Sequence, residues 1–140
     1  MKKIFNTIVV YLVLALGMGV FFREFTKFNE FTGYTYLSII HTHLLILGFL
    51  VFLIVLILAK INPNFTEDKM FNKFYVVYNI SLGLFASLLL TRGIFQVLGT
   101  NYSSGINALI SGIAGLTHIM LTVGLVMFVI LIKRTFVNNK

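Results

Sequence analysis

The sequence contains no cysteine and no tryptophan, and it has one proline among 140 residues. Without cysteine the chain cannot form disulfides, zinc fingers, iron–sulfur clusters or the thioether attachment of c-type haem. Any metal or cofactor therefore has to use histidine, methionine, tyrosine or carboxylate ligands. Charged residues make up only 11%, and no carboxylate lies within a long apolar run, unlike in most proton-coupled pumps and transporters. No Ser-His-Asp set, carboxylate pair or phosphate loop is visible, so we expect no hydrolase or nucleotide-driven activity.

Apolar residues are what the chain has in abundance, at 59% of the sequence and a mean hydropathy of +0.98. Four apolar segments, near 4–22, 37–59, 74–97 and 106–132, are each long enough to cross a bilayer, which takes about 20 helical residues. The first reads like a signal peptide, but no small-residue cleavage site follows it, so we expect a retained helix. We predict an all-α membrane protein, with residues 1–140 forming a single up-down bundle of four transmembrane helices.

The basic residues give a net charge of +7, and they lie at the ends of the apolar runs. There they act as topology signals, so we expect the lipid bilayer and not nucleic acid as a partner. Eight of the eleven precede the first segment, lie between the second and third, or follow the last. The positive-inside rule then predicts that both termini and the loop with Pro63 are cytoplasmic, in a multi-pass protein of a bacterial cytoplasmic membrane.

Two histidines are predicted at nearly the same height in the membrane. His43 precedes Lys60 by 17 residues, and His118 precedes Lys133 by 15. At 1.5 Å per residue, the histidines lie about 25 and 22 Å above the inner boundary. Helices 2 and 4 of an up-down bundle face each other across the core. The sequence therefore predicts that His43 and His118 are the axial ligands of a haem b iron in the bundle core.

Other polar residues could belong to this site. Arg23 and Arg92 lie at the predicted outer ends of the first and third segments, where they could pair with haem propionates. His41 lies two positions before His43, and the helical rotation of about 200° prevents both from serving one axial site. It could face a second site or a neighbouring subunit, or its side chain could snorkel to the interface, which is the default.

The histidines also mark a weak internal repeat. Residues 42–60 and 117–134 each begin with Thr-His, continue with a glycine about a turn and a half later, and end in a basic residue. This pattern is consistent with two tandem helical hairpins related by an axis along the membrane normal.

Simpler interpretations of the histidines remain open. They could form interhelical hydrogen bonds to polar residues of the third segment, namely Asn79, Ser87 or Thr91. Copper bound by methionines beside His118 is less expected than haem. The histidines could also line the polar path of a metal or small-molecule permease or accessory protein, or the chain could be a structural membrane subunit.

The motif "HTHLLILGF" at residues 41–49 also carries a resemblance. Over nearly its whole length the chain resembles a family of small bacterial four-helix membrane proteins of unknown function. Locally, His41, His43, Leu47, Gly48 and Phe49 resemble the tenth helix of haem-copper oxidase catalytic subunits. In that family the two histidines ligate different haems on opposite faces of one helix. The resemblance implies that both His41 and His43 bind haem.

The oxidase likeness has limits and one structural consequence. The family's copper-binding histidine pair and cross-linked tyrosine have no counterpart in this sequence. Because the oxidase subunit is built from three arcs of four helices, the resemblance implies a homo-oligomer, a trimer or a dimer. We therefore expect a haem b membrane protein that acts in electron transfer, haem sensing or a gas-related process, with an unspecified redox partner and no visible catalytic constellation.

Overall fold

The computed structural model describes residues 1–100 and 103–138, and these residues form helices and connecting turns without any strand. Four helices are long and apolar enough to cross a membrane, as the sequence predicts. They are α1 (Lys2–Phe28), α2 (Leu37–Ile61), α4 (Lys69–Val97) and α5 (Ser104–Val137). A short helix, α3 (Asn64–Glu67), connects α2 to α4.

The helices extend beyond the apolar segments from which they were predicted. Helix α1 continues to Phe28, six residues past the predicted end. An apolar run marks only the part of a helix that lies in the hydrocarbon, and α1 extends beyond it through charged residues. Asp68 begins α4, where its carboxylate accepts a hydrogen bond from Met70 N at 2.7 Å. Gly99 follows the end of α4 with a φ of +64°, a left-handed conformation that glycine adopts without a Cβ penalty.

Most basic residues gather at one end of the helices, which we call the basic end. Arg134, near the end of α5, pairs with Asp68 at the start of α4, with 3.1 Å between Nε and Oδ2. Asn62, after α2, donates to the Thr135 carbonyl at 2.8 Å, and Lys3 of α1 lies over the ring of Tyr75. The starts of α1 and α4 therefore lie at the same end as the ends of α2 and α5. Lys140 lies outside the described residues.

The helices pack in chain order, α1 on α2, α2 on α4, and α4 on α5. Helix α5 makes its extensive contacts with α4, where Gly124 lets the Tyr78 ring approach so closely that an added Cβ would lie 3.0 Å from it. Within 1–100 and 103–138, α1 and α5 share no extensive interface. The bundle is therefore open on that side, and the expectation of a closed core between the second and fourth helices is wrong. Both pack against α4, whose aromatic residues reach each of them.

Helix α2 changes its hydrogen-bonding pattern directly after His43. Residues Leu44–Leu50 form a π-helical segment, a local widening that is often found at functional sites. Neighbouring helices hold it from two sides. The Tyr11 ring of α1 lies so close to Gly48 that an added Cβ would be 2.5 Å from it, and the Tyr78 hydroxyl of α4 donates to the Leu47 carbonyl at 2.8 Å. These contacts pack the π-helical segment against α1 and α4.

Candidate functional site

His43 and His118 converge on one phenylalanine of α4. The His43 ring centroid lies 5.4 Å from that of Phe85, and the His118 ring meets the same phenyl edge to face at 4.7 Å. Phe85 itself is only 4% exposed. The two imidazoles therefore lie at one level, both in contact with the same buried aromatic ring.

Both imidazoles are oriented in the same way by their own helices. His43 Nδ1 lies 2.8 Å from the Ile39 carbonyl, and His118 Nδ1 lies 3.0 Å from the Ala114 carbonyl. A carbonyl oxygen can only accept, so each Nδ1 donates, and Nε2 is the ring nitrogen that remains for a ligand. Neither Nε2 has a hydrogen-bond partner in the described part of the chain. Such a backbone contact at one ring nitrogen is how ligating histidines are usually held.

We call the space between α2 and α5 at this level the histidine groove, with walls at His43 and His118 and a floor at Phe85. His118 is exposed and His43 is half-buried. A pocket of about 200 Å³ opens beside His43 and Leu47. On α5, a Cβ added to Gly115 would meet no atom within 4 Å. The pocket is lined by residues of α2 alone, and the α5 wall has free space at Gly115.

Arg92 lies in a second pocket at the end of the helices opposite the basic end. This pocket has a volume of about 470 Å³ and is lined also by Tyr36 and Asn107. The guanidinium donates to Ser111 Oγ at 2.6 Å and to Asn107 Oδ1 at 3.3 Å, and no carboxylate pairs with it among the described residues. Arg92 follows Phe85 by seven positions, so it lies about 10 Å further along the helix. It is a cation with neutral partners only, two turns from the histidines.

Arg23 differs from Arg92 in its surroundings. Its side chain is 78% exposed and pairs with the adjacent Glu24 at 3.1 Å. No hydrogen bond joins it to the residues of the histidine groove. The structure therefore does not bring Arg23 to the site with which the sequence had grouped it.

His41 occupies the opposite face of α2 from His43. Its Cβ and Cγ would lie 3.8 Å from a Cβ added to Gly19 of α1, so the side chain packs against α1. Its Nδ1 is buried without a hydrogen-bond partner within residues 1–100 and 103–138. The predicted separation of the two histidines by about half a turn is therefore observed, whereas the default expectation of snorkelling to the interface is not.

The polar residues of α4 do not hydrogen-bond to the histidines. Ser87 donates to the Gly83 carbonyl at 2.8 Å, and Thr91 donates to the Ser87 carbonyl at 2.9 Å. The Asn79 amide donates to the Tyr75 carbonyl at 2.7 Å. These side chains donate their hydrogen bonds to backbone carbonyls of their own helix. The interhelical hydrogen bonds to the histidines that the sequence allowed are therefore not formed.

The groove offers two imidazole nitrogens to a ligand. No group of three or more His, Asp or Glu side chains that could hold a metal ion is found in the described ranges. A six-coordinate, low-spin haem iron takes two axial ligands from the protein, because the porphyrin supplies the other four. The groove thus offers the number of imidazole nitrogens that an axial pair requires.

Sequence reasoning did not identify two features of this site. Phe85 is one apolar residue among many in its segment, so nothing in the sequence distinguished it. Asn107 and Ser111, in contrast, precede His118 by eleven and seven positions and so share a helical face with it. That spacing would have pointed to a polar stripe on α5 leading from Arg92 to His118.

The family model described as "Protein of unknown function (DUF2871)" matches residues 1–135. No curated protein and no solved structure matches the chain.

Proposed function

We propose that this chain, which belongs to the DUF2871 family of proteins of unknown function, is a membrane protein that binds b-type haem through His43 and His118. One observation carries the proposal. Two imidazoles from different helices lie at one level against Phe85, each with Nδ1 held by the backbone and Nε2 free. When bound, the haem iron would exchange one electron between its ferric and ferrous states.

Arg92 is the proposed partner of the haem propionates. It lies at the end of the groove away from the basic end, beside an open pocket, and has no carboxylate partner among the described residues. Arginine binds carboxylates with two parallel hydrogen bonds, which favours it for this role. Histidine ligands and an arginine near them suit electron transfer, haem sensing or a gas-related process.

We also propose that the basic end faces the cytoplasm of a bacterial cell, with both termini there, because most Lys and Arg residues lie at that end. The tandem-repeat hypothesis gains support from local geometry. Thr42 and His43 both hydrogen-bond to the Ile39 carbonyl, and Thr117 and His118 share one carbonyl in the same way. A homo-oligomer, a trimer or a dimer, would cover the exposed wall of the groove at His118.

Haemin titration of the purified apoprotein in detergent tests the proposal. We expect one haem per chain with a sharp low-spin Soret band. His43→Ala and His118→Ala should each lose that band, because an iron with one axial imidazole becomes five-coordinate or dissociates. His41→Ala is the matched control, since it removes an imidazole two residues from His43 that faces α1, and it should keep the wild-type spectrum.

The titration has a clear contradictory outcome. If His43→Ala and His118→Ala both keep the wild-type Soret band, the proposed axial pair is wrong. Loss of haem from His41→Ala together with a smaller oligomer would instead place the haem between subunits, as the oxidase likeness implies.

A further inference from the structure

A second cleft lies between α1 and α4, and neither His41 nor His43 is among its lining residues. It has a volume of about 610 Å³ and opens at the basic end. The haem proposal does not use it. Its lining changes in character with depth, from charged to polar to apolar.

The mouth of the cleft is cationic. Lys2 and Lys3 line it together with the amide of Asn6, and no carboxylate is among the lining residues. The Lys3 ammonium lies 3.9 Å from the centre of the Tyr75 ring, so this side chain is drawn over the cleft. An anionic group at the mouth would meet the side chains of both lysines.

The next level consists of hydroxyl and amide groups. Thr7 and Tyr75 hydrogen-bond to each other across the cleft, and the Tyr11 hydroxyl donates to Asn79 Oδ1 at 2.8 Å. The Asn79 amide uses one N–H on the Tyr75 carbonyl, and its second N–H has no partner in the described ranges. Four and eight residues separate Lys3 from Thr7 and Tyr11, so this level begins about 6 Å and ends about 12 Å below the mouth.

The deepest level is apolar and continues along the helices. Leu14 and Gly83 line it, and a Cβ added to Gly83 would meet no atom within 4 Å. Leu14 and Gly83 also line an adjoining pocket of about 230 Å³ that reaches Met18 and Leu90. A hydrocarbon chain entering at Gly83 would therefore find a continuous apolar path.

We propose that this cleft is a specific site for an anionic glycerophospholipid. The phosphate would meet Lys2 and Lys3, the ester carbonyls would accept from the hydroxyl and amide level at Asn79, and one acyl chain would lie along Leu14 and Gly83. Basic pockets between transmembrane helices commonly bind anionic headgroups. A neutral quinone would fill the two deeper levels but leave both ammonium groups without a counter-ion.

Native mass spectrometry of the full-length protein in neutral detergent tests this site, with dioleoyl phosphatidylglycerol and dioleoyl phosphatidylcholine as probes. We expect one tightly retained phosphatidylglycerol per chain. Replacing both Lys2 and Lys3 by Gln should weaken its binding about thirtyfold and leave phosphatidylcholine binding unchanged. The double variant Lys69→Gln/Lys133→Gln removes the same charge outside the cleft and should change binding less than about twofold.

A third variant tests the middle level. Asn79→Leu removes the donor to the ester carbonyls, which both probes carry, so it should weaken both to a similar extent. Equal effects of the two lysine double variants would show generic attraction to the basic end and overturn the proposal. Equal affinity of the wild type for both lipids, or a retained quinone in place of the lipid, would overturn it as well.

Discussion

Gly48→Ala tests whether the π-helical segment below the histidines is held by close packing. The added methyl group would lie 2.5 Å from Tyr11 Cγ and 2.6 Å from Cδ1, well inside van der Waals contact. The obstacle is the base of an aromatic ring that is itself buried and hydrogen-bonded to Asn79. Neither the ring nor the helix can yield without losing contacts.

The cost follows from these contacts. Overpacking of this kind costs about 1–3 kcal/mol, and displacing Tyr11 would lose a hydrogen bond that contributes about 1 kcal/mol. The higher helix propensity of alanine offsets about 1 kcal/mol. The net destabilisation is about 1–3 kcal/mol, which for a chain of this size lowers Tm by roughly 4–12 °C.

Thermal unfolding of the purified protein in one detergent measures this shift. Gly17→Ala is the matched control, because a Cβ there would meet no atom within 4 Å, and it should leave Tm unchanged or raise it slightly. Adding Tyr11→Ala to Gly48→Ala removes the obstacle, so the two substitutions should be strongly non-additive. Equal Tm values for Gly48→Ala and Gly17→Ala would refute the packing argument.

The remaining predictions concern charge and burial. Arg92→Gln should weaken haemin binding about tenfold, because it loses a charge-assisted hydrogen bond, whereas Arg23→Gln should leave the affinity unchanged. Equal affinities of the two variants by absorbance titration would show that Arg92 does not belong to the site. His41→Leu should raise Tm, because it removes a buried Nδ1 without a partner whose burial costs about 1–3 kcal/mol; a lower Tm with loss of haem would show that His41 is a ligand. A reporter enzyme that is active only in the cytoplasm should be active when fused at Lys140 and inactive when inserted in the loop between α4 and α5. The reverse pattern would contradict the proposed orientation.

The membrane helices and the level of the histidines could be predicted from the sequence because each depends on one-dimensional information. An apolar run of sufficient length has to become a helix in a bilayer, where backbone groups must bond internally. Counting residues from Lys60 and Lys133 placed His43 and His118 at one height, and both contact Phe85 in the structure. Height along a helix follows from residue number alone.

The lateral arrangement could not be predicted in this way, because it depends on which helix faces fit together. Gly124 admits the Tyr78 ring, and Gly48 admits Tyr11, and these two fits set α5 against α4 and α2 against α1. The sequence does not indicate which aromatic side chain packs against each of these glycines. The side chain of His41 was misjudged for the same reason, since its burial depends on the small residue Gly19 on a neighbouring helix.

The absorption spectrum of the purified protein, recorded before and after reduction with dithionite, tests the central claim most directly. After haemin is added and the excess removed, the account predicts a sharp Soret band that shifts on reduction, with resolved α and β bands typical of two axial imidazoles. The same spectrum from His43→Ala should lack these low-spin features. A wild-type protein that is folded in detergent and shows no Soret band after this treatment would contradict the account.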